Sequence, residues 1–496
     1  MKHYLSVLLL VLVVCLPAVA AKKKAYPGGR QYIWRLTLRD KGASPYTLER
    51  PQRWLSHRAI ERRRRQGLHL DSTDLPVSPS YLKELRTERS ISVVGMSRWN
   101  NSVLVHGVDT AVLQRLASLP FVAKSECVWM SPDSLNRSTA DVTYREQFNS
   151  WDSIKGDRYA GGREQIEMLQ GQRLHALGYR GRGMVIAVLD GGFRNVDRIP
   201  VLQHVNIIGA RNMVWAGAPD GGSALRHATA DDFSEMEAQA IYRGIDHGTK
   251  VLSAMAADAS EVLTGTAPDA RYWLLRCEDQ QTEQPVEEDY WVMAAEMADS
   301  AGVDIINSSL GYNEYDAPHR SYRLSDLDGQ TAFISRAASM LARKGIILVN
   351  SAGNTGMGPW KKICVPADAF DILTVGAINS DGRSAPFSSV GPAQDGRVKP
   401  DVMALGSPAT LISGRGTLVR DMGTSFSAPV VCGLVACLWQ ALPQKSALDI
   451  INLIRKTSDN SGTPDNVYGY GRPNFWRAYM VGKLEDEETA KPNDGE

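Results

Sequence analysis

Five short, almost uninterrupted apolar runs recur from residue 185 onward, and they restrict the folds open to the chain. The first run, residues 185–189, contains β-branched residues, and stretches with helical periodicity, such as residues 289–299 and 331–343, lie between the runs. Such runs are typical of strands buried on both faces of a parallel sheet, with crossover helices covering the faces. The pattern predicts an α/β fold with one doubly wound, mostly parallel sheet, whose strands include residues 185–189, 270–275, 303–306, 346–349 and 372–375.

A smaller unit precedes this sheet. Strand patterns alternate with helical patterns at residues 80–87 and 110–116, which predicts a small α+β domain with strands at 32–38, 91–96, 102–106 and 121–128. A further helix is predicted over residues 55–66, and it contains four consecutive arginines at 62–65. A solvent-exposed face is favoured for this arginine run over a processing site or an anion-binding patch.

The N-terminus predicts export. Lys2 is followed by an apolar run over residues 4–16 and by small residues at 18–20, where a signal peptidase would cut. The run is shorter than the ~20 residues that cross a bilayer, so we expect no membrane segment after cleavage. Lipoprotein processing at Cys15 is the alternative, but Val14 is bulky where that processing prefers a small residue.

The charge balance excludes some partners. The chain has 56 Lys and Arg residues and 55 Asp and Glu residues, a net charge of +1. No long-range field therefore attracts a polyanion, and we expect no nucleic-acid partner. Hydrophobic residues make up 43% of the chain, which excludes wholesale disorder and a multi-span membrane protein.

The cysteines constrain the fold weakly. Five remain once Cys15 is removed with the signal peptide, too few for a disulfide scaffold. Cys432 and Cys437 lie in an apolar helical stretch and are expected to be small buried side chains. A disulfide between Cys277 and Cys364 is the one pairing considered, and none of the spacings predicts a zinc site.

Three side chains with catalytic chemistry lie at strand ends or helix starts. Asp190 directly follows the first apolar run, His247 begins a helix of small residues, and Ser425 lies where a glycine turn leads into an apolar helix. Separately, each fits an ordinary turn or capping role. Because the functional residues of a doubly wound sheet collect at the carboxyl ends of its strands, the three can lie together.

Four sequence motifs surround these residues or lie between them. They are His-Gly-Thr-x-Val at residues 247–251, Asn-Ser-Ser-Leu-Gly at 307–311, Ser-Ala-Gly-Asn at 351–354 and Gly-Thr-Ser-x-Ser-Ala-Pro at 423–429. The first and last are highly specific, and the order Asp, His, Ser along the chain is also informative. In these features the sequence resembles the subtilisin-like serine proteases, the subtilases, over residues 159–479.

The resemblance implies a serine endopeptidase that works through an acyl-enzyme. Ser425 would be the nucleophile, His247 its general base and Asp190 the carboxylate that orients the imidazole. The Asn354 amide and the Ser425 N–H would stabilise the oxyanion. The residues implied in substrate binding are Ser309, Leu310 and Gly311, which would pair with an extended peptide through their backbone, and Ala352 and Gly353.

The resemblance also implies a zymogen. Residues 32–128 resemble, more loosely, a propeptide of some secreted bacterial subtilases, in particular through Leu-Ser-x-Arg-Ala-Ile-x-Arg-Arg at 55–63. We expect an autoprocessed, monomeric, periplasmic or extracellular enzyme that acts on proteins or peptides and is inhibited by its own propeptide. The expected order is a signal peptide at 1–20, the propeptide at 21–130, a linker with the processing site at 131–158, the peptidase domain at 159–480 and a disordered acidic tail at 481–496.

No cofactor is predicted. Many subtilases bind calcium, but the sequence contains no acidic loop with ligand-like spacing, so no metal site is assigned. The motif at the aspartate departs from the family, which usually has Ser or Thr and then Gly after it. Here Gly191 and Gly192 follow Asp190, so a hydroxyl that can steady the carboxylate is missing.

Two other classes of protein remain as alternatives. A non-catalytic peptide-binding relative would be favoured by a missing member of the catalytic triad, and none is missing. A dinucleotide-binding domain needs its glycine motif between the first strand and a helix, whereas Gly181-Arg182-Gly183 precedes the strand and Gly191-Gly192 lacks a third glycine.

Overall fold

A computed structural model of the chain describes residues 29–133, 155–215 and 237–490. The expected signal peptide and most of the expected linker lie outside these residues, so both stay predictions. The chain order of the described elements agrees with the sequence analysis, because an antiparallel unit precedes a larger parallel one.

The N-terminal domain contains strands β1 (Tyr32–Leu38), β2 (Ile91–Ser97), β3 (Ser102–Gly107) and β4 (Val122–Met130), and helices α1 (His57–Arg65), α2 (Pro79–Leu85) and α3 (Thr110–Ala117). The strands form one antiparallel sheet in the order β2-β3-β1-β4. Leu36, Val105 and Leu113 are among the buried side chains of its core. The prediction of a small α+β domain is therefore confirmed.

The larger, C-terminal domain is built on a seven-stranded sheet in which every strand is parallel to its neighbours. In spatial order its strands are β13 (Val402–Ser407), β12 (Leu373–Asn379), β11 (Ile347–Ser351), β10 (Ile305–Ser308), β5 (Val185–Asp190), β9 (Arg271–Arg276) and β6 (Asn206–Asn212). Two hairpins accompany it, β7 (Asp258–Ala259) with β8 (Leu263–Thr264) and β14 (Ala409–Ile412) with β15 (Leu418–Asp421). The doubly wound parallel sheet is confirmed.

The helices of this domain pack on both faces of the sheet. They are α4 (Arg163–Glu167), α5 (Gly171–Ala176), α6 (His247–Ala256), α7 (Val286–Ala301), α8 (Phe333–Ala338), α9 (Thr424–Ala441), α10 (Ala447–Thr457) and α11 (Phe475–Ala490). Short 3₁₀ turns lie at Pro51–Arg53, Ser72–Asp74, Pro200–Leu202, Leu324–Asp326 and Ala342–Lys344. Separate apolar cores on the two faces hold the helices against the sheet.

Helix α9 lies inside the larger of these cores. It is the one helix in the described part of the chain that is long and apolar enough to cross a membrane, and 94% of that stretch is buried within the protein. Cys432 and Cys437 are buried in it, as predicted. Burial on nearly all sides explains why the helix lacks a polar face.

The arginine run of α1 is not a solvent-exposed face. Arg64 is exposed and pairs with Glu61, but the side chains of Arg62 and Arg63 are buried and pair with Asp299 in α7. The prediction is therefore wrong for Arg62 and Arg63, because one face of α1 packs on the larger domain.

The structure excludes a pairing that the sequence left open, and it corrects one further prediction. Cys277 and Cys364 are both buried but free, so the disulfide considered for them is absent. The tail is not disordered from residue 481, because α11 continues to Ala490. Phe475 anchors this helix in the core, and Lys445 pairs with Glu485 further along it. Residues 491–496 lie outside the described residues.

Candidate active site

Asp190 and His247 meet at the carboxyl edge of the sheet. Asp190 is the last residue of β5 and is fully buried, and His247 is the first residue of α6. The Nδ1 atom of His247 lies 2.9 Å from Oδ2 and 3.0 Å from Oδ1 of Asp190. The backbone N–H of Gly191 donates to Oδ1 of Asp190 at 2.8 Å, which fixes the carboxylate from its other side.

The glycine after His247 allows this approach. A Cβ atom at Gly248 would lie 2.6 Å from the carbonyl oxygen of Gly192 and 2.9 Å from Cβ of Asp190. The backbone N–H of Gly248 donates to the same Gly192 oxygen at 3.0 Å. Any larger residue would therefore push α6 away from the end of β5 and separate the ring from the carboxylate.

The charge of Asp190 changes the proton affinity of the ring. Burial alone would lower the pKa of His247, but the charge and hydrogen bond of Asp190 outweigh burial, and Glu278 adds to their effect. Together they raise the pKa of His247 to about 9. A carboxylate that holds Nδ1 in this way fixes the ring orientation and leaves Nε2 available for proton transfer.

Ser425 lies in the first turn of α9, next to the end of β10. Its hydroxyl donates to the carbonyl oxygen of Ser309 at 3.2 Å, and the hydroxyl of Ser309 donates to the carbonyl oxygen of Ser425 at 2.8 Å. Within the described residues, the hydroxyl of Ser425 makes no hydrogen bond with the ring of His247. That ring lies 5.6 Å, between centroids, from the ring of Phe426. The fold thus brings the three segments to one edge of the sheet, with the hydroxyl turned toward β10.

Asn354 contacts the beginning of the same helix. Its Oδ1 accepts hydrogen bonds from the backbone N–H of Thr424 at 2.9 Å and from the Thr424 hydroxyl at 3.0 Å. A Cβ atom at Gly423 would lie 3.7 Å from Nδ2 of Asn354. The amide oxygen is therefore used within the protein, while the amide N–H₂ group lies beside the turn that precedes Ser425.

The two segments expected to bind substrate differ in how many of their backbone N–H and carbonyl groups already make hydrogen bonds within the protein. Residues 309–311 follow β10 where its pairing with β5 and β11 ends, although the carbonyl oxygens of Ser309 and Leu310 accept from the side chains of Ser425 and Asn350. By contrast, the N–H and carbonyl groups of Ala352 bond to Val375 and Cys364. Those of Gly353 bond to the Thr424 hydroxyl and to the backbone of Ser389. Ala352 and Gly353 can therefore offer a surface to a peptide, but their backbone is already paired.

Among residues 29–133, 155–215 and 237–490, no cluster of three or more His, Cys, Asp or Glu side chains is arranged to hold a metal ion.

The sequence analysis missed one residue next to the site. Glu278 lies beside Gly191, the residue after Asp190, and it comes two residues after the end of β9, much as Asp190 lies at the end of β5. That position was its only signal in the sequence.

Comparisons with known proteins identify the family of the chain. Residues 181–471 match the subtilase family, and residues 33–146 match the peptidase S8 propeptide domain of the Bacteroidota. The chain belongs to the subtilase family. It is a serine-type endopeptidase with a propeptide domain. The recognition of a subtilase with an N-terminal propeptide, made from the motifs, is confirmed.

The individual relatives have low sequence identity to this subtilase. It is 27% identical to subtilisin DY of Bacillus licheniformis over 62% of this chain and 94% of that one. It is 30% identical to the subtilisin-like protease SBT6.1 of Arabidopsis thaliana over 48% of this chain, and that match spans 22% of the plant protein. A crystal structure of MycP1 with its N-terminal propeptide removed aligns with a TM-score of 0.46 and 24% identity, over 67% of this chain and 98% of the other.

Proposed function

We propose that this subtilase hydrolyses peptide bonds with Ser425 as nucleophile, His247 as general base and Asp190 as the residue that orients the imidazole. The hydroxyl oxygen of Ser425 attacks the peptide carbonyl while Nε2 of His247 takes its proton. The imidazolium then gives this proton to the leaving amine, and water hydrolyses the acyl-enzyme by the same route.

The contact between Asp190 and His247 is the observation that carries this proposal. A fully buried carboxylate lies 2.9 Å from Nδ1, and this contact sets the tautomer that a general base needs. For the reaction, the Ser425 hydroxyl must leave the carbonyl oxygen of Ser309 and turn to Nε2. Catalytic hydrogen bonds are often made only in the substrate complex.

The oxyanion would be stabilised by Asn354 and by the backbone of Ser425. The contacts of Oδ1 with Thr424 hold the Asn354 amide in one orientation, so its N–H₂ group needs no reorganisation when charge develops on the carbonyl oxygen. The N-terminus of α9 adds a partial positive charge at the same place.

A substrate peptide would add as a strand beside Ser309, Leu310 and Gly311. These residues continue the direction of β10 beyond its last paired residue, Ser308. Backbone pairing of this kind gives affinity for extended peptides of many sequences. Ala352 and Gly353 would contribute a wall rather than further pairing.

The N-terminal domain would keep the enzyme inactive until the linker is cut. Its last strand ends at Met130, whose backbone N–H and carbonyl bond to the side chain of Gln284 at 2.8 and 2.9 Å. Helix α7 of the peptidase domain also accepts hydrogen bonds from Ser97 and from the backbone of Trp99, through Glu296. We therefore assign the propeptide to residues 21–130, the processed linker to 131–158 and the peptidase domain to residues from 159 to the end of α11.

We further propose that the enzyme is exported and acts in the periplasm or outside the cell. The signal-peptide pattern of residues 1–20 and the presence of a propeptide domain support this location. No nucleic-acid partner is proposed.

Covalent labelling tests the assignment of the triad. A fluorophosphonate probe should label the purified, processed enzyme on Ser425, and prior labelling should abolish hydrolysis of an unstructured protein. Ser427→Ala is the matched control, because Ser427 lies in the same motif but its buried hydroxyl donates to the Thr424 carbonyl. The assignment is wrong if Ser425→Ala is still labelled or still hydrolyses substrate. Unlabelled, inactive protein that binds peptides would favour a non-catalytic relative.

A further inference from the structure

Gly191 has no side chain, and the space beside its Cα atom is taken by Glu278. A Cβ atom at position 191 would lie 3.1 Å from Oε2 of Glu278 and 2.9 Å from Cδ1 of Ile245. Gly191 directly follows Asp190 and donates its backbone N–H to that carboxylate. The carboxyl of Glu278 therefore reaches the backbone that holds Asp190 in place.

Glu278 is held at this position by the strand that precedes it. The backbone N–H of Cys277 donates to the carbonyl oxygen of Asp190 at 3.0 Å, so β9 and β5 remain paired up to the site. The side chain of Gln280 donates to the carbonyl oxygen of Gly191 at 2.8 Å. These two hydrogen bonds join the segments before and after Glu278 to the segment that carries Asp190.

We propose that Glu278 is a positioning residue of the active site, whose carboxyl faces the Asp190–His247 pair across Gly191 and sets the pH range in which His247 is uncharged. The proposal rests on the function assigned above to Asp190 and His247. According to this proposal, a second carboxyl group, besides that of Asp190, influences the protonation of His247.

The electrostatics support a coupling between the three groups. Burial and then the charges of Asp190 and Glu283 raise the pKa of Glu278 to about 8, while the charge of His247 acts in the opposite direction. Conversely, Glu278 is among the groups that raise the pKa of His247. An ionised Glu278 therefore favours the imidazolium form of His247.

Other ionisable groups surround this pair. Lys250 lowers the pKa of His247, but it is also engaged with Asp421 at 2.9 Å. The phenol of Tyr312 donates to Oε1 of Glu278 at 3.4 Å. Among the described residues, the groups that interact with Glu278 or His247 from the surrounding elements are Asp190, Lys250, Arg276, Cys277, Glu283, Glu287, Tyr312 and Asp421.

Glu278→Gln removes the charge and keeps the shape of the protonated side chain. We expect the pKa of His247 to fall by about one pH unit. A change of this size is comparable to the variation of side-chain pKa values among folded proteins. An uncharged base would then be present at lower pH. If Glu278 were protonated throughout the titration of His247, the same substitution would leave the pKa of His247 unchanged.

The test is an NMR titration of the imidazole in the full-length precursor. The protein contains ¹⁵N-labelled histidine and Ser425→Ala, and the His247 resonances are identified by their loss in His247→Gln. The expected result is a lower His247 pKa in Glu278→Gln. Glu283→Gln is the control, because Glu283 acts on Glu278 and should not lower the His247 pKa. An unchanged His247 pKa in Glu278→Gln would overturn the proposal.

A second variant keeps the proposal testable if Glu278→Gln does not fold. Gly191→Ala would place a Cβ atom 3.1 Å from Oε2 and so push the carboxyl of Glu278 away. It should also lower the His247 pKa, and an unchanged value would contradict the proposal. Because the titration needs no turnover, it is independent of the labelling of Ser425. If Ser425 is not labelled but the titration still shifts, the proposed function fails and the coupling to Glu278 stands.

Discussion

The guanidinium of Arg62, in the propeptide domain, is buried against the carboxylate of Asp299, near the end of α7 in the peptidase domain. Arg63 and Arg98 contact the same carboxylate. Burial would raise the pKa of Asp299, but the three guanidinium groups outweigh burial and hold that pKa well below its usual range. One buried charge therefore joins the two domains through three cations.

We expect Asp299→Asn to destabilise the precursor strongly. The substitution leaves three buried guanidinium groups without their shared counterion, and breaking a buried ion pair from one side costs about 3–5 kcal/mol. Denaturant unfolding of the Ser425→Ala precursor measures this loss. Glu61→Gln is the control, because it removes an exposed pair with Arg64, and such pairs contribute about 0–1 kcal/mol. Equal losses in the two variants would show that the buried cluster is not what holds the domains together.

Processing should depend on Ser425. We expect Ser425→Ala to accumulate as a precursor that lacks only the signal peptide, whereas Ser427→Ala is cut normally. The cut should lie within residues 131–158, because β4 is paired with β1 and a cut inside it would break the sheet. N-terminal sequencing of both purified variants checks this prediction. Normal trimming of pure Ser425→Ala would mean that another protease performs the cut.

The sequence predicted the central strands of the fold better than its edges. Strands β5 and β10 are buried on both faces, so their sequences are uniformly apolar. Strand β6 lies at one edge, where several of its side chains are at least partly exposed, and no apolar run marked it. Strand β13, at the other edge, was missed as well. Partial exposure of its side chains explains why no apolar run marked β6, whereas β13 is buried except at Ser407 and exposure does not explain why it was missed.

Long-range partners account for most of what the sequence could not predict. Arg62 was expected in solvent because its helix was considered alone, while its counterion, Asp299, lies 237 residues away. Glu278 likewise becomes part of the site only because β9 pairs with β5. By contrast, Asp190 and His247 were predicted from local motifs, and the fold places the two side chains in contact.

The pH dependence of hydrolysis should follow His247. The pKa of His247 is raised to about 9, and only the uncharged ring accepts the proton of Ser425. The value of kcat/KM should therefore increase as the pH rises toward 9. Asp190→Asn removes the main cause of the raised pKa, so the remaining activity should reach its plateau at lower pH. The value of kcat should also fall by about 10⁴-fold, because the tautomer is no longer fixed.

Asp246→Asn is the matched control for this experiment. Asp246 directly precedes His247, but its carboxylate accepts from the backbone N–H of Gly414 and pairs with Lys250. The pH profile of this variant should stay close to that of the wild type. A profile in Asp190→Asn that matches the wild type would contradict the role assigned to Asp190.

Asn354 has two separable parts. Its Oδ1 accepts two hydrogen bonds from Thr424 at the start of α9, which is a structural role. Its N–H₂ group is the proposed oxyanion donor. Asn354→Asp keeps an acceptor for Thr424 and removes the donor, whereas Asn354→Ala removes both. Comparing the two substitutions therefore separates stability from catalysis.

We expect both substitutions to reduce kcat by about 10²–10³-fold, which is the effect of removing one such donor in a subtilisin. The value of KM should change little, because the donor acts only when the carbonyl oxygen becomes charged. Only Asn354→Ala should also lose stability, by about 1 kcal/mol, through the missing contacts at the start of α9. Steady-state kinetics and thermal unfolding measure the two effects. A fall in kcat of tenfold or less in Asn354→Asp, with the fold intact, would assign oxyanion stabilisation to the Ser425 N–H and to the end of α9 alone.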